Sequence, residues 1–211
     1  FASPPTDDVD ADDADGWLLG PSHRADAGRA LAIADDVDGR AELVVGMPYD
    51  LAAGNGSGRV SWVTAPFTGT VALGSTEPQL VADEEYLLLG YDLVRADVDG
   101  DGLDDTLVGA PGAALRPDYG GQVLTVLAGA EGQWAPADSD GQILANAGSD
   151  FFGLALATPG DVDGDGREDL LLVHEQRALV YLRGSDGQLR PKPAAELDLG
   201  HRAVAPDDAD L

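Results

Sequence analysis

Apolar residues in this chain of 211 residues come in bursts of four to seven, each cut short by Gly, Pro or Asp. That is strand rather than helix patterning. The 28 glycines and 13 prolines interrupt almost every window long enough to hold a helix. The bursts also repeat. AGRALAIADDVDGRAELVVGMP from Ala27, LGYDLVRADVDGDGLDDTLVGAP from Leu89 and FGLALATPGDVDGDGREDLLLVHE from Phe152 lie over one another, and their marker glycines Gly28, Gly90 and Gly153 are 62 and 63 residues apart. A second marker stands 11 residues before each glycine, at WLLG from Trp17, QLVAD from Gln79 and QILAN from Gln142. Two markers sharing one period identify an internal repeat.

Each repeat accommodates four strands. In the middle one they are expected at about 91–96, 104–109, 121–128 and 141–145, joined by turn-rich links such as GAALRPDYGG. Four-stranded antiparallel units at such a period predict an all-β protein made of β-propeller blades, each hiding its faces against its neighbours. Repeats at about 27–83, 89–146 and 152–200 give about three blades. Residues 1–16 form an acidic lead expected to be disordered, residues 201–211 an acidic tail, and a strand at 17–20 is expected to join another blade. An irregular β-sandwich is the competing arrangement, and the regular period argues against it.

Two of the links crowd carboxylates into one turn. Asp97, Asp99, Asp101 and Asp105 fall at loop positions 1, 3, 5 and 9, with the Leu103 carbonyl available at 7; Asp161, Asp163, Asp165 and Asp169 repeat this, with the Arg167 carbonyl at 7. A tightly coiled loop turns odd-numbered side chains inward, where carboxylate oxygens at about 2.3–2.6 Å suit calcium. Gly102 and Gly166 occupy position 6, where a chain bending round an ion needs a positive φ. An EF-hand would need a bidentate Glu at position 12 between helices, but Val108 and Leu172 stand there inside apolar runs. The pattern therefore predicts calcium loops that each span a β-hairpin, tying two strands together through charges that would otherwise repel. Residues 36–42 keep a damaged version. Asp36, Asp38 and Glu42 align with the loops only if two residues are deleted, so no calcium site is expected there. Arg40 either supplies a positive charge in place of a metal or belongs to a plain exposed hairpin. Asp8, Asp10 and Asp12 imitate a further loop within the acidic lead.

Composition narrows the partners. Thirty-nine Asp and Glu against 12 Lys and Arg leave a net charge of −27, which repels nucleic-acid backbones and anionic membrane surfaces. With no cysteine, disulfides and thiolate chemistry are excluded. No apolar run approaches the roughly 18 residues needed to span a bilayer, so membrane insertion is not expected. The start, FASPPTDD, lacks the basic and apolar regions of a signal peptide, as in a processed exported chain or a cytosolic one.

The FG of Phe152–Gly153, the two DVDGDG runs, the GAP of Gly109–Pro111 and the following GQVLTVL resemble the FG-GAP repeat of integrin α-subunit β-propellers and related bacterial surface and secreted proteins. The resemblance covers about residues 17–200. It implies calcium in the hairpin loop between the first two strands of a blade, held by Asp97, Asp99, Asp101, the Leu103 carbonyl and Asp105, and by Asp161, Asp163, Asp165, the Arg167 carbonyl and Asp169. It also implies a secreted, periplasmic or cell-surface module for adhesion or assembly, with a protein or glycan as ligand. The first repeat departs with AG for FG and GMP for GAP, and the third has VHE at Val173–Glu175 where GAP would stand. Family propellers commonly have seven blades. Three cannot close a ring, so a homo-oligomer is expected, most simply a twofold dimer making a six- or seven-bladed ring.

Catalysis finds little support. His23, His174 and His201 lie in unrelated contexts, and no serine stands in a GxSxG elbow. GNGSG at 54–58 lacks the GK[ST] of a phosphate loop and reads as a hairpin turn; Asn55-Gly56-Ser57 is formally a glycosylation sequon. Trp62, Trp134, Tyr49 and Tyr119 are expected to pack blades, with loop aromatics on one ring face as the alternative ligand site. The expectation is a binding module rather than an enzyme; a propeller domain of a secreted hydrolase and a carbohydrate-binding lectin are the alternatives.

Overall fold

The computed structural model describes residues 14–35, 38–112, 120–145, 151–174, 177–182 and 195–198. Most of the acidic lead, the 201–211 tail, Asp8, Asp10, Asp12, Asp36, Tyr119 and His201 lie outside the described residues. The strands are β1 (Gly16–Leu19), β2 (Leu31–Asp35), β3 (Ala41–Met47), β4 (Arg59–Thr64), β5 (Gly69–Ala72), β6 (Gln79–Val81), β7 (Leu93–Ala96), β8 (Asp105–Ala110), β9 (Gln122–Val126), β10 (Gln133–Trp134), β11 (Gly141–Leu144), β12 (Ala155–Gly160), β13 (Asp169–His174), β14 (Arg177–Tyr181) and β15 (Ala195–Asp198). Among the described residues there is no α-helix.

Three antiparallel blades result: β2-β3-β4-β6, β7-β8-β9-β11 and β12-β13-β14-β15. The four strands of the middle blade fall within two residues of the bounds expected from the sequence. Two short strands were not anticipated. β10 leaves the link between β9 and β11 and pairs in parallel with β6 of the preceding blade, and β5, in the corresponding link of the first blade, pairs in parallel with β1.

Period-two alternation decides what each face covers. Val44, Val60, Trp62 and Leu80 of the first blade pack against Leu89, Leu93, Val108 and Leu124 of the second. The residues between, Leu107 and Val123, point the other way and pack against Phe152, Leu156, Leu170 and Leu172 of the third. Every residue of β8 is buried in consequence. Each fully buried leucine contributes about 1.5–3 kcal/mol, so the two inter-blade layers carry most of the stability. Trp62 meets Trp134 edge to face with ring centroids 5.9 Å apart, and its indole N–H donates to Thr106 Oγ1 at 3.3 Å across the same layer. Blade packing, the expectation for these two tryptophans, is what they do.

At the seam between blades, backbone meets backbone. A Cβ on Gly46 would lie 2.2 Å from the carbonyl oxygen of Gly90, and one on Gly109 equally close to that of Gly153. Thus the Gly of GMP or GAP in one blade abuts the marker glycine of the next. Beside it, Gly58 and Gly121 form parallel bridges to Leu89 and Phe152. GNGSG is part of this seam: the N–H groups of Tyr86, Leu88 and Leu89 donate to the carbonyls of Asn55, Gly56 and Ser57 at 2.8, 2.9 and 3.2 Å. The stretch holds the following blade, a role its turn-like sequence did not disclose.

Gly46 lies in a strand, so replacing it tests steric fit alone. Gly46→Ala is expected to lower the unfolding free energy in urea by about 1–3 kcal/mol, the usual range for overpacking. Gly141→Ala, whose Cβ would meet Thr125 at an ordinary 3.4 Å, is expected to change it by less than about 0.5 kcal/mol.

Candidate metal centres

The hairpin turns β7–β8 and β12–β13 place the carboxylates. Within each turn the aspartates first satisfy backbone donors. Asp97 accepts from Gly100 N at 2.6 Å through Oδ1 and from Gly102 N at 3.2 Å through Oδ2. Asp161 does the same with Gly164 at 2.6 Å and Gly166 at 2.7 Å, and adds Asp165 N at 3.0 Å. Gly102 and Gly166 carry φ of 93° and 88°, the left-handed conformation expected at the sixth loop position. The coil brings carboxylate oxygens of Asp97, Asp99 and Asp105 within 4.8 Å of one another, and likewise those of Asp161, Asp163 and Asp169. Such a trio of hard oxygen donors fits a hard divalent cation.

Asp101 and Asp165 stand apart from these trios. Their Oδ1 atoms accept from Leu103 N at 2.8 Å and Arg167 N at 3.0 Å, and Asp165 Oδ2 also lies 3.5 Å from Arg167 Nη1. A short aspartate side chain readily reaches the N–H two residues on, and Asp99 and Asp163 make the same bond from within the trios, to Asp101 N at 3.0 Å and Asp165 N at 3.1 Å.

The ninth-position aspartates are different in kind. Asp105 and Asp169 are 1% exposed, at the first residue of β8 and β13. Asp105 Oδ2 accepts from Val98 N at 2.7 Å and Oδ1 from Ala128 N at 2.9 Å, so one side chain joins the loop, the second strand and the end of the third. Asp169 accepts from Val162 N at 2.9 Å. Burial pushes the Asp105 carboxyl up to about 6; the Ala128 and Val98 N–H groups oppose this, and the charges of Asp99 and Asp101 add to it. The exposed Asp161 shows the reverse, held below the usual carboxylate range chiefly by the Gly166 N–H, with Gly164 and Asp165 assisting.

In the first blade Glu42 takes the place of Asp105. It is buried, faces Ala34 as Asp105 faces Ala96, and accepts from Thr64 Oγ1 at 3.1 Å. Residues 35–41 separate that pair, seven against the eight of 97–104, so this loop is shorter by one residue rather than the two counted from the sequence. Arg40 is tethered at the exposed tip, its N–H donating to Asp38 Oδ1 at 3.0 Å and its Nε 3.4 Å from Asp38 Oδ2. This is the exposed-hairpin arrangement. Sequence reading missed a buried network nearby: Arg59 Nε donates to Asp50 Oδ2 at 2.6 Å and Nη1 donates to Gln79 Oε1. Only the rarity of a cation beginning an apolar strand hinted at it.

No protein-family model matches the chain. It is similar to integrin alpha-PS2 of Drosophila melanogaster, 41% identical over 108 residues that make up 44% of this chain and 7% of that protein. To integrin alpha-6 of Gallus gallus it is 33% identical over 114 residues, 52% of this chain and 10% of that protein. The likeness to integrin alpha pat-2 of Caenorhabditis briggsae is 28% over 204 residues, 82% of this chain and 15% of that protein. The chain thus spans no more than 15% of these relatives' length. The integrin α-like character implied by FG, GAP and DVDGDG is upheld, as is the all-β blade fold.

Between the ordinary carboxylate value of 3.8 and about 6, folded Asp105 holds a proton that the unfolded chain has released. Its contribution to stability therefore falls as pH rises through that window. Asp105→Asn leaves one buried N–H facing an amide NH₂ and is expected to cost about 2 kcal/mol at pH 4 in EDTA. The gap to wild type should narrow by pH 7, where the wild type carries the buried charge; urea melts at both values measure it, and a gap that widens would refute the assignment.

Proposed function

We propose that this chain is a calcium-stabilised, integrin-like propeller segment that binds a protein outside the cytoplasm, in adhesion or assembly, with the metal in a structural role. The observation supporting this most directly is that two carboxylate trios recur at the same hairpin of consecutive blades, each built on a buried aspartate. Asp97, Asp99 and Asp105 would hold one ion and Asp161, Asp163 and Asp169 the other. Asp101 and Asp165, with the carbonyls of Leu103 and Arg167, are the groups that could complete the shells.

A bound cation would supply charge neutralisation and a crosslink, not chemistry on a substrate. Asp105, on β8, would then join the ion to the hairpin loop and to the end of the third strand, because its own acceptor bonds already reach Val98 and Ala128. Sites of this kind in extracellular modules bind at about 0.1–1 mM, which matches extracellular calcium and leaves them empty at cytosolic levels. The net charge of −27 points the same way, since bound cations relieve self-repulsion. No described helix is long and apolar enough to cross a membrane. Ligand contact belongs to the loops at the ends of the blades, where Tyr49 and Tyr86 are 41% and 40% exposed. We read the module as a binder rather than an enzyme.

Calcium at 1 mM is expected to add about 0.4–1.4 kcal/mol per site. Two sites should raise Tm by a few degrees over EDTA. The double variant Asp97→Asn/Asp161→Asn should lose most of that shift while melting near the wild type in EDTA. Scanning calorimetry decides it: identical wild-type melting in calcium and EDTA would remove the metal from the account.

A further inference from the structure

The third strands of blades 1 and 2 begin with different residues in the same place. Arg59 opens β4 directly after the bridging Gly58, and Gln122 opens β9 directly after the bridging Gly121. In blade 1 the guanidinium is surrounded by oxygen acceptors. Its Nε donates to Asp50 Oδ2 at 2.6 Å, and Nη1 donates to Gly74 O at 3.4 Å and to Gln79 Oε1. The two charged side chains are only 12% and 6% exposed. Pro21 closes over the 3-10 turn at Leu73–Ser75, its Cβ 3.0 Å from the Cβ position of Gly74.

Blade 2 keeps this frame and changes what is inside it. The 3-10 turn Pro136–Asp138 repeats Leu73–Ser75, and Ser139 Oγ donates to Pro136 O at 2.8 Å just as Thr76 Oγ1 donates to Leu73 O at 3.0 Å. Ala137 O therefore stands for Gly74 O, and Gln142 for Gln79. The Gln142 NH₂ donates to Pro136 O at 2.8 Å and lies 3.3 Å from Ser139 Oγ, so the atom that Gln142 has left to offer is an acceptor oxygen, as in Gln79. The cation has gone, because Gln122 is neutral. Where the closing link carries Pro21 in blade 1 it carries Asp83 in blade 2, with Glu84 next to it. Asp83, Glu84, Gln122, Gln142 and the turn enclose a cavity of about 230 Å³. Drug-sized sites run from about 300 Å³ upward, so this one takes a head group and its stem rather than a whole organic ligand.

We propose that this cavity is a binding site for a guanidinium group brought from outside the chain, held as the chain holds its own Arg59. Asp83, with Glu84, supplies the carboxylate that Asp50 supplies in blade 1, and Ala137 O and the Gln142 amide oxygen supply the neutral acceptors. A planar fork of five N–H donors can reach acceptors spread around its edge, which a compact, strongly hydrated ammonium cannot match. A metal ion is a poorer fit: among the described residues Asp83 and Glu84 belong to no group of three side chains within metal-ligating distance. In a module that binds proteins the guanidinium is an arginine side chain, and that assignment of its source rests on the function proposed above; the site itself does not.

NMR titration of the whole chain tests it, following the side-chain amide signals of Gln122 and Gln142 with N-acetylarginine methylamide, the citrulline and lysine counterparts, and methylguanidinium, all at 150 mM salt. The arginine derivative is expected to shift both amides and to bind at least about tenfold more tightly than the lysine derivative, with citrulline inert. Asp83→Asn/Glu84→Gln should weaken it at least about tenfold, although the net charge of −27 that attracts any cation changes by only two. Gln122→Arg should place a guanidinium in the cavity from within, abolishing the shifts of Gln142 and raising Tm. Equal binding of lysine or citrulline, binding indifferent to the double variant, or a fall in Tm for Gln122→Arg would each overturn the proposal. Methylguanidinium binding as tightly as the arginine derivative would uphold the site and assign it to a free guanidinium compound, against the protein-binding reading. Titrations run in calcium and in EDTA keep the metal reading, which melting reports, separate from this one.

Discussion

The structure depends on one close approach: the carbonyl oxygen of each marker glycine, Gly90 and Gly153, lying against the glycine of GMP or GAP in the preceding blade. Sheets packed through side chains alone sit about 10 Å apart. Here the inner parts of the blades converge until main chain touches main chain, and only a residue without a Cβ permits it. The apolar layers centred on Val108 and Leu107 then fill the wedge that opens away from this contact.

Charge is organised by depth. Asp161 and Asp163 are exposed, while Asp105 and Asp169 are drawn under the hairpins and bonded to main-chain N–H groups. Asp97 and Asp99 are half-buried and Asp161 and Asp163 exposed, and all four accept from N–H groups within their own turn. The buried member cannot move without breaking strand contacts.

The sequence disclosed the period, the four strands of each blade and the carboxylate loops because all three are local: alternation, turn residues and odd-numbered spacing act within a dozen positions. It did not disclose β5 or β10. GTVA and Gln133-Trp134 carry no pattern of their own and become strands only because another blade offers them an edge. Asp101 and Asp165 were legible as loop residues, but not the N–H groups of Leu103 and Arg167 that their carboxylates accept from.

The parallel clasp also has a consequence for the order of events in synthesis. The outer strand of the first blade, β6, is secured by Gln133 and Trp134, more than fifty residues further along, and Trp62 lacks its edge-to-face partner until then. A chain emerging from the ribosome cannot finish one blade before most of the next has appeared, so each domain-sized intermediate carries an unfinished edge forward. Folding advances like overlapping roof slates, each blade fastened by part of the next.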